Sequence, residues 1–170
     1  MSANGGSRRA WGWHPLTDAW AARIVDAARV RPGELVLDLG AGHGALTGHL
    51  LAAGARVIAV EPHPTRAAYL RTHYDTTVLE SDAVTMPLPR RPFRVVANPP
   101  YNLGTALLRR LLAPGSYLIA ADLVLQRAVV ARYAGGPTGK WPARAGIRLP
   151  RNAFRPPPKV DSAVLVIRRR

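Results

Sequence analysis

Hydrophobic residues along this chain fall into short unbroken runs separated by amphipathic stretches. Trp20, Ile24, Ala27 and Ala28 recur at helical spacing behind Thr17 or Asp18, either of which can cap the helix, and Arg31-Pro32-Gly33 ends it. A strand at Leu35–Leu39 follows, then a helix over 44–53, a strand at Val57–Val60 and a helix over 65–72. Thr77–Leu79 and Phe93–Ala97 supply two more strands, 103–112 a helix, and 117–125 a fifth strand that runs into a helix lasting through Tyr133. Ala143–Leu149 and 163–167, joined through the turn Pro156-Pro157-Pro158, read as a final antiparallel pair at one edge. Short apolar strands alternating with helices predict a doubly wound α/β domain whose mostly parallel, seven-stranded sheet is covered on both faces.

A chain of 170 residues is one domain by length, and no internal repeat is visible. The segment up to Arg9 is small, polar and basic, and residues 1–16 read as a basic arm ahead of a domain over 17–170. The stretch from Ala134 to Pro142, rich in Gly and Pro and carrying Lys140 and Trp141, reads as a surface loop. Trp11-Gly12-Trp13-His14 follows the basic start where a signal peptide would have an apolar run, so the expectation is a cytoplasmic chain with no membrane span. With no Cys, disulfides, thiolate catalysis and Cys-based zinc sites are excluded. His14, His43, His49, His63 and His73 lack metal-ligand spacing, and no metal is expected.

Charge changes the picture most. Lys and Arg number 24 against 10 acidic residues, for a net charge of +14, and Lys140 and Lys159 are the only lysines. Codon bias explains Arg in place of Lys but not the scarcity of acids. Guanidinium groups fork onto phosphate and stack on bases, and no segment joins Arg to a long apolar face, so nucleic acid is the expected partner rather than a membrane. Arg8, Arg9, Arg90, Arg91, Arg109, Arg110 and the terminal arginines are the clusters that would carry it.

Candidate chemistry sits at the strand ends. Asp38-Leu39-Gly40-Ala41-Gly42-His43-Gly44 turns the first strand into a helix, and its glycines let the backbone approach a nucleotide-like ligand. Gly40, Gly42 and Ala45 fit the dinucleotide pattern, with Glu61 as the ribose-binding acid about 20 residues on. Two features point instead to S-adenosylmethionine: Asp38 directly before the turn, and Asp82 after the third strand. Glu61 and Pro62 would then meet the ribose and Asp82 and Ala83 the adenine, although a strand-terminal Asp also commonly caps a turn.

Asn98-Pro99-Pro100-Tyr101 closes the fourth strand. A carboxamide oxygen and the Pro99 carbonyl can accept both hydrogens of an amino group on a planar base, leaving its lone pair free, while a Tyr ring stacks on that base. The same dipeptides are ordinary in turns, but the carboxyl end of a strand is where open α/β sheets place chemistry. Taken with Phe154-Arg155-Pro156-Pro157-Pro158-Lys159-Val160-Asp161-Ser162, these motifs resemble those of the rRNA adenine dimethyltransferases, the family of the KsgA and Erm enzymes, through nearly the whole chain.

The resemblance implies a class I, Rossmann-like methyltransferase that moves methyl groups from S-adenosylmethionine to N6 of a flipped-out rRNA adenosine. It implies that Asn98 and Pro99 hold the amine, that Tyr101 and Phe154 sandwich the ring, and that Asn98 also touches the cofactor. The family's Gln-Asn-Phe-Leu segment is replaced here by Gly12-Trp13-His14-Pro15-Leu16, where His14 and the Leu16 backbone would serve the cofactor. The resemblance extends to the short mycobacterial Erm-type enzymes, which share the Trp-Gly-Trp-His opening, and the expectation is a chain that, like them, lacks the family's C-terminal helical domain. The expectation is a monomeric enzyme acting on 23S rRNA and conferring macrolide, lincosamide and streptogramin resistance. The alternatives are a KsgA-like enzyme acting on 16S rRNA, a DNA adenine methyltransferase, a dehydrogenase, or an RNA-binding protein without transfer.

Overall fold

Helix α1 (Asp18–Ala28) leads into β1 (Leu35–Leu39), α2 (Ala45–Ala52), β2 (Arg56–Val60), α3 (Pro64–His73), β3 (Thr77–Leu79) and β4 (Phe93–Ala97). The chain continues through α4 (Gly104–Leu111), β5 (Leu118–Gln126), α5 (Arg127–Ala134), β6 (Ala143–Leu149) and β7 (Ser162–Arg168). This computed structural model describes residues 13–134 and 141–169. Arg8, Arg9, Trp11, Gly12, Lys140 and Arg170, with most of the expected arm and loop, lie outside the described residues.

All seven strands join one sheet in the order β3-β2-β1-β4-β5-β7-β6. The first five pair in parallel, and β7 runs antiparallel to both β5 and β6. Residues alternate between the two faces: Leu37, Leu39, Val95 and Ala97 pack with Leu107, Leu108 and Leu111, while Val36, Val96 and Val124 pack with Ile24, Leu50 and Phe154. Strand order reverses between β1 and β4, so a crevice opens beyond their carboxyl ends. That crevice receives the glycine turn after β1 and Asn98 after β4.

Two long-range attachments shape the rest. Residues 15–17 pair with 153–155: Leu16 bridges Phe154, Thr17 N–H donates to Ala153 at 2.8 Å, and Arg155 N–H to Pro15 at 2.9 Å. The end of the expected arm is therefore part of the fold. Arg94, buried in β4, donates to the carbonyls of Ala28 at 2.5 Å and Arg29 at 3.3 Å, closing the C-terminus of α1 where Arg29 turns left-handed. Its charge is met by Glu34 at 3.3 Å and by Asp122 at 3.5 Å, and Asp122 also takes Arg168 at 3.0 Å. Removing one member of such a buried set leaves another charge uncompensated.

Candidate active site

The glycine turn is held by β2: the N–H groups of Gly40 and Ala41 both donate to the Val60 carbonyl, at 2.8 and 3.0 Å. Gly40 has φ +74°, and a Cβ there would lie 3.1 Å from Pro100 Cδ and 3.5 Å from Pro99 Cα. Glycine thus lets the loop after β4 close onto the loop after β1. At Gly42, with φ +60°, a Cβ would meet the Trp13 indole at 3.2 Å.

Glu61 is buried at the end of β2, and its carboxylate is fixed from three sides. It accepts from Gly42 N–H and His63 N–H at 2.9 Å each and from Arg66 Nε at 3.2 Å. Arg66, itself buried, lies with its guanidinium carbon 4.3 Å from the Trp13 ring centroid. Glu61, Pro62, Asp82, Ala83, Gly40, Pro99 and Trp13 line one cavity, of about 210 Å³. The Asp82 carboxylate accepts from Val84 N–H at 2.8 Å through Oδ1, so it caps its own turn. Arg110 braces that turn by donating to the carbonyls of Ala83, at 3.1 Å, and Met86.

A second cavity of about 220 Å³ adjoins the first through Trp13 and Gly40, and is lined by Leu16, Asp38, Gly42, His43 and Asn98. Asp38 is almost wholly buried and accepts from the Thr47 hydroxyl at 2.8 Å. Burial pushes its carboxyl up to about 7, against the lowering effect of the Thr47 bond, with the nearby Glu61 charge adding to the rise. The Asn98 Nδ2 donates to the His14 carbonyl at 2.9 Å. No donor among the described residues reaches its Oδ1.

A third cavity, of about 800 Å³, is lined by Trp13, His14, Tyr101, Gln126, the three prolines 156–158, Lys159 and Val160. The Tyr101 hydroxyl bonds Ser162 Oγ, and burial raises its pKa. The His14 ring, 5.6 Å from the Tyr101 ring centroid, is held by Nδ1 against the Pro156 carbonyl at 2.9 Å. Trp13 lines all three cavities.

The structure brings Asn98, Pro99, Tyr101, His14, Leu16, Asp38, Gly40, Gly42, Glu61, Pro62, Asp82 and Ala83 to this crevice. Phe154 departs from expectation. Its side chain is wholly buried in the core against Leu16 and the α1 face, so it offers no ring to a base in this arrangement. The cause is the pairing of 153–155 with 15–17, which turns the residue inward. Arg110 also departs: it is spent on two carbonyls rather than free for RNA. Asp161 pairs locally with Arg127 and Arg151. Sequence reasoning missed Arg66 and the bracing role of Arg110. Each is one arginine among many, and only the Pro64 start of α3, which points Arg66 back toward Glu61, hinted at the first.

Residues 7–170 match the family of ribosomal RNA adenine dimethylases. The chain belongs to that family. Its relatives include the ribosomal RNA small subunit methyltransferase A of Thermosynechococcus vestitus, 34% identical over a gapped alignment of 186 positions that covers 95% of this chain and 69% of the relative. The enzyme of the same description from Pseudomonas syringae pv. syringae is 34% identical over 181 aligned positions, gaps included, covering 94% and 68%. Among solved structures, the 23S rRNA methyltransferase ErmE superposes with a TM-score of 0.79 at 30% identity, covering 91% of this chain and 69% of that one. A dimethyladenosine transferase from Plasmodium falciparum gives 0.78 at 25%, covering 92% and 64%.

Membership makes the chain an rRNA adenine methyltransferase with the Rossmann-like sheet of the S-adenosylmethionine-dependent enzymes, and rules out the dehydrogenase reading of the glycine turn. No helix among the described residues is long and apolar enough to cross a membrane.

Proposed function

We propose that this protein methylates N6 of an adenosine in 23S rRNA, using S-adenosylmethionine. The observation that carries the chemistry is the Asn98 amide: with Nδ2 committed to the carbonyl of His14, a residue that lines the third cavity, Oδ1 is left as an acceptor at the second. The cavity pair that meets at Gly40 fits the cofactor. Glu61 would take the ribose hydroxyls, Asp82 and Ala83 the adenine, and Asp38 with the backbone at Gly42 and Leu16 the charged methionine end. When bound, the cofactor supplies an electrophilic methyl group.

The third cavity, lined by His14 and Tyr101, would admit the target base, with Tyr101 stacking on it. Asn98 Oδ1 and the Pro99 carbonyl accept the two amine hydrogens, which aims the nitrogen lone pair and stabilises the positive charge that grows on nitrogen. Holding both reactants in line supplies much of the rate. With Phe154 in the core, the prolines 156–158 and Trp13 form the opposite wall of that cavity.

The choice of 23S rRNA rests on the likeness to ErmE and on the Trp-Gly-Trp-His opening shared with short Erm-type enzymes. It carries with it resistance to macrolides, lincosamides and streptogramins, a cytoplasmic setting and a monomeric, metal-free enzyme. The 34% identical relatives named for the small ribosomal subunit favour a second reading, 16S rRNA. Transfer of labelled methyl to purified 23S and 16S rRNA in parallel, with mapping of the product, decides between them: label in 16S rRNA alone overturns the 23S assignment.

A further inference from the structure

The parallel strands begin at the pole of the sheet opposite the crevice, and because β7 is antiparallel its last residue, Arg168, ends there. Arg144, near the start of β6, and Arg29 and Arg31, between α1 and β1, reach the same pole. Together with Arg94 they line a groove of about 560 Å³. Arg29, Arg31 and Arg144 are exposed, and no carboxylate among the described residues lies within ion-pair distance of them.

Two carboxylates, Glu34 and Asp122, serve this region, and both are engaged by Arg94 and Arg168. Five guanidinium groups against two carboxylates leave three positive charges unbalanced. The terminal carbonyls of α1, which would repel an anion, are covered by Arg94. The buried Nε of Arg94 meets no acceptor among the described residues. The crevice, by contrast, gathers Asp38, Glu61 and Asp82 around Arg66, which Glu61 pairs, and holds no comparable surplus of positive charge.

We infer that this groove is a second RNA contact, a phosphate-binding site for RNA flanking the target adenosine. The four residue steps from Arg94 to Asn98 span about 13 Å, so the flipped base itself cannot fill it. Neighbouring backbone does, and Arg29, Arg31 and Arg144 neutralise it. The inference rests on rRNA as the substrate, and holds for either ribosomal subunit.

The test compares the intact protein with the variant R29N/R31Q/R144Q. It measures binding to a 23S and a 16S rRNA fragment from about 50 to 300 mM salt, beside S-adenosylmethionine affinity and Tm. The expected result is RNA affinity at least about tenfold weaker at low salt, and a log–log salt slope shallower by about 2, with cofactor affinity and Tm unchanged. The charge-keeping variant R29K/R31K/R144K retains both affinity and slope. Unchanged RNA affinity and slope in a folded triple variant overturn the inference. Should the triple variant fold poorly, Arg144→Gln alone decides, by a slope shallower by about 0.7 or by none. A wrong choice of ribosomal subunit appears separately, as methyl label on the other rRNA with the salt effect intact.

Discussion

The carboxamide of Asn98 donates to the main-chain carbonyl of His14, 2.9 Å away and 84 residues earlier in the chain. That single bond orients the amide, because a carbonyl can accept only from the nitrogen side and the oxygen is thereby turned to other work.

Asn98→Ala is expected to lower methyl transfer by about 10²-fold or more, the scale of losing one fixed polar group at a centre of developing charge. S-adenosylmethionine affinity should fall little, as Asp38, Glu61 and Asp82 remain. Single-turnover transfer and calorimetric cofactor binding on the same variant check this, and retained transfer removes Asn98 from the chemistry.

Asp38 sets a pH dependence. Its folded-state pKa, about 7, lies above the ordinary value of 3.8, so the folded chain holds a proton that the unfolded chain has released between those limits. Its contribution to stability is fully present below pH 3.8 and is lost as pH rises through about 7. Asp38→Asn, which keeps an acceptor for Thr47, should flatten the fall of Tm over that window. Cofactor affinity should move the other way, strengthening as the carboxylate ionises near pH 7 to meet a cation. A wild-type affinity independent of pH across that range would remove Asp38 from the methionine end.

Phe154→Ala should destabilise the fold by about 3–5 kcal/mol, the cost of emptying a buried aromatic site. Urea unfolding measures it. A variant of native stability that fails only in transfer would restore the stacking role.

Tyr101→Phe should keep transfer while losing about 1 kcal/mol of stability with the Ser162 bond. Tyr101→Ala should weaken the target-base step by roughly 1–3 kcal/mol and spare the cofactor. The split between the KM for RNA and the KM for S-adenosylmethionine reads this out.

Arg110→Ala frees the carbonyls of Ala83 and Met86 and should raise the KM for the cofactor about tenfold with kcat nearly unchanged. Arg110→Lys should restore it only in part, since an ammonium lacks the fork that spans two carbonyls.

Much of this was legible in the chain. Each parallel strand is a short apolar run, and Asp38, Glu61, Asp82 and Asn98 mark strand ends, where the topology gathers ligand-facing groups. Distant partnerships were not. Nothing near Phe154 announces that Leu16 will bridge it, and an aromatic before prolines looks the same whether it faces a base or the core. Arg66, Arg94 and Arg110 were hidden by abundance, because in a chain with 24 basic residues a buried structural arginine has no distinct local pattern. Arg94 meets partners 28 and 66 residues away, separations that no periodicity encodes.

The 3.1 Å approach between a Cβ built at Gly40 and Pro100 has a genetic consequence. The loops that would serve the two substrates come from strands adjacent in the sheet but far apart in the gene, and they touch where one residue has no side chain. A single codon change at position 40 would press a side chain on the Pro100 ring and strain a left-handed turn, at the point where the two loops meet. The expectation for an allele of that kind is a gene carried without its activity, so the two have to be scored separately.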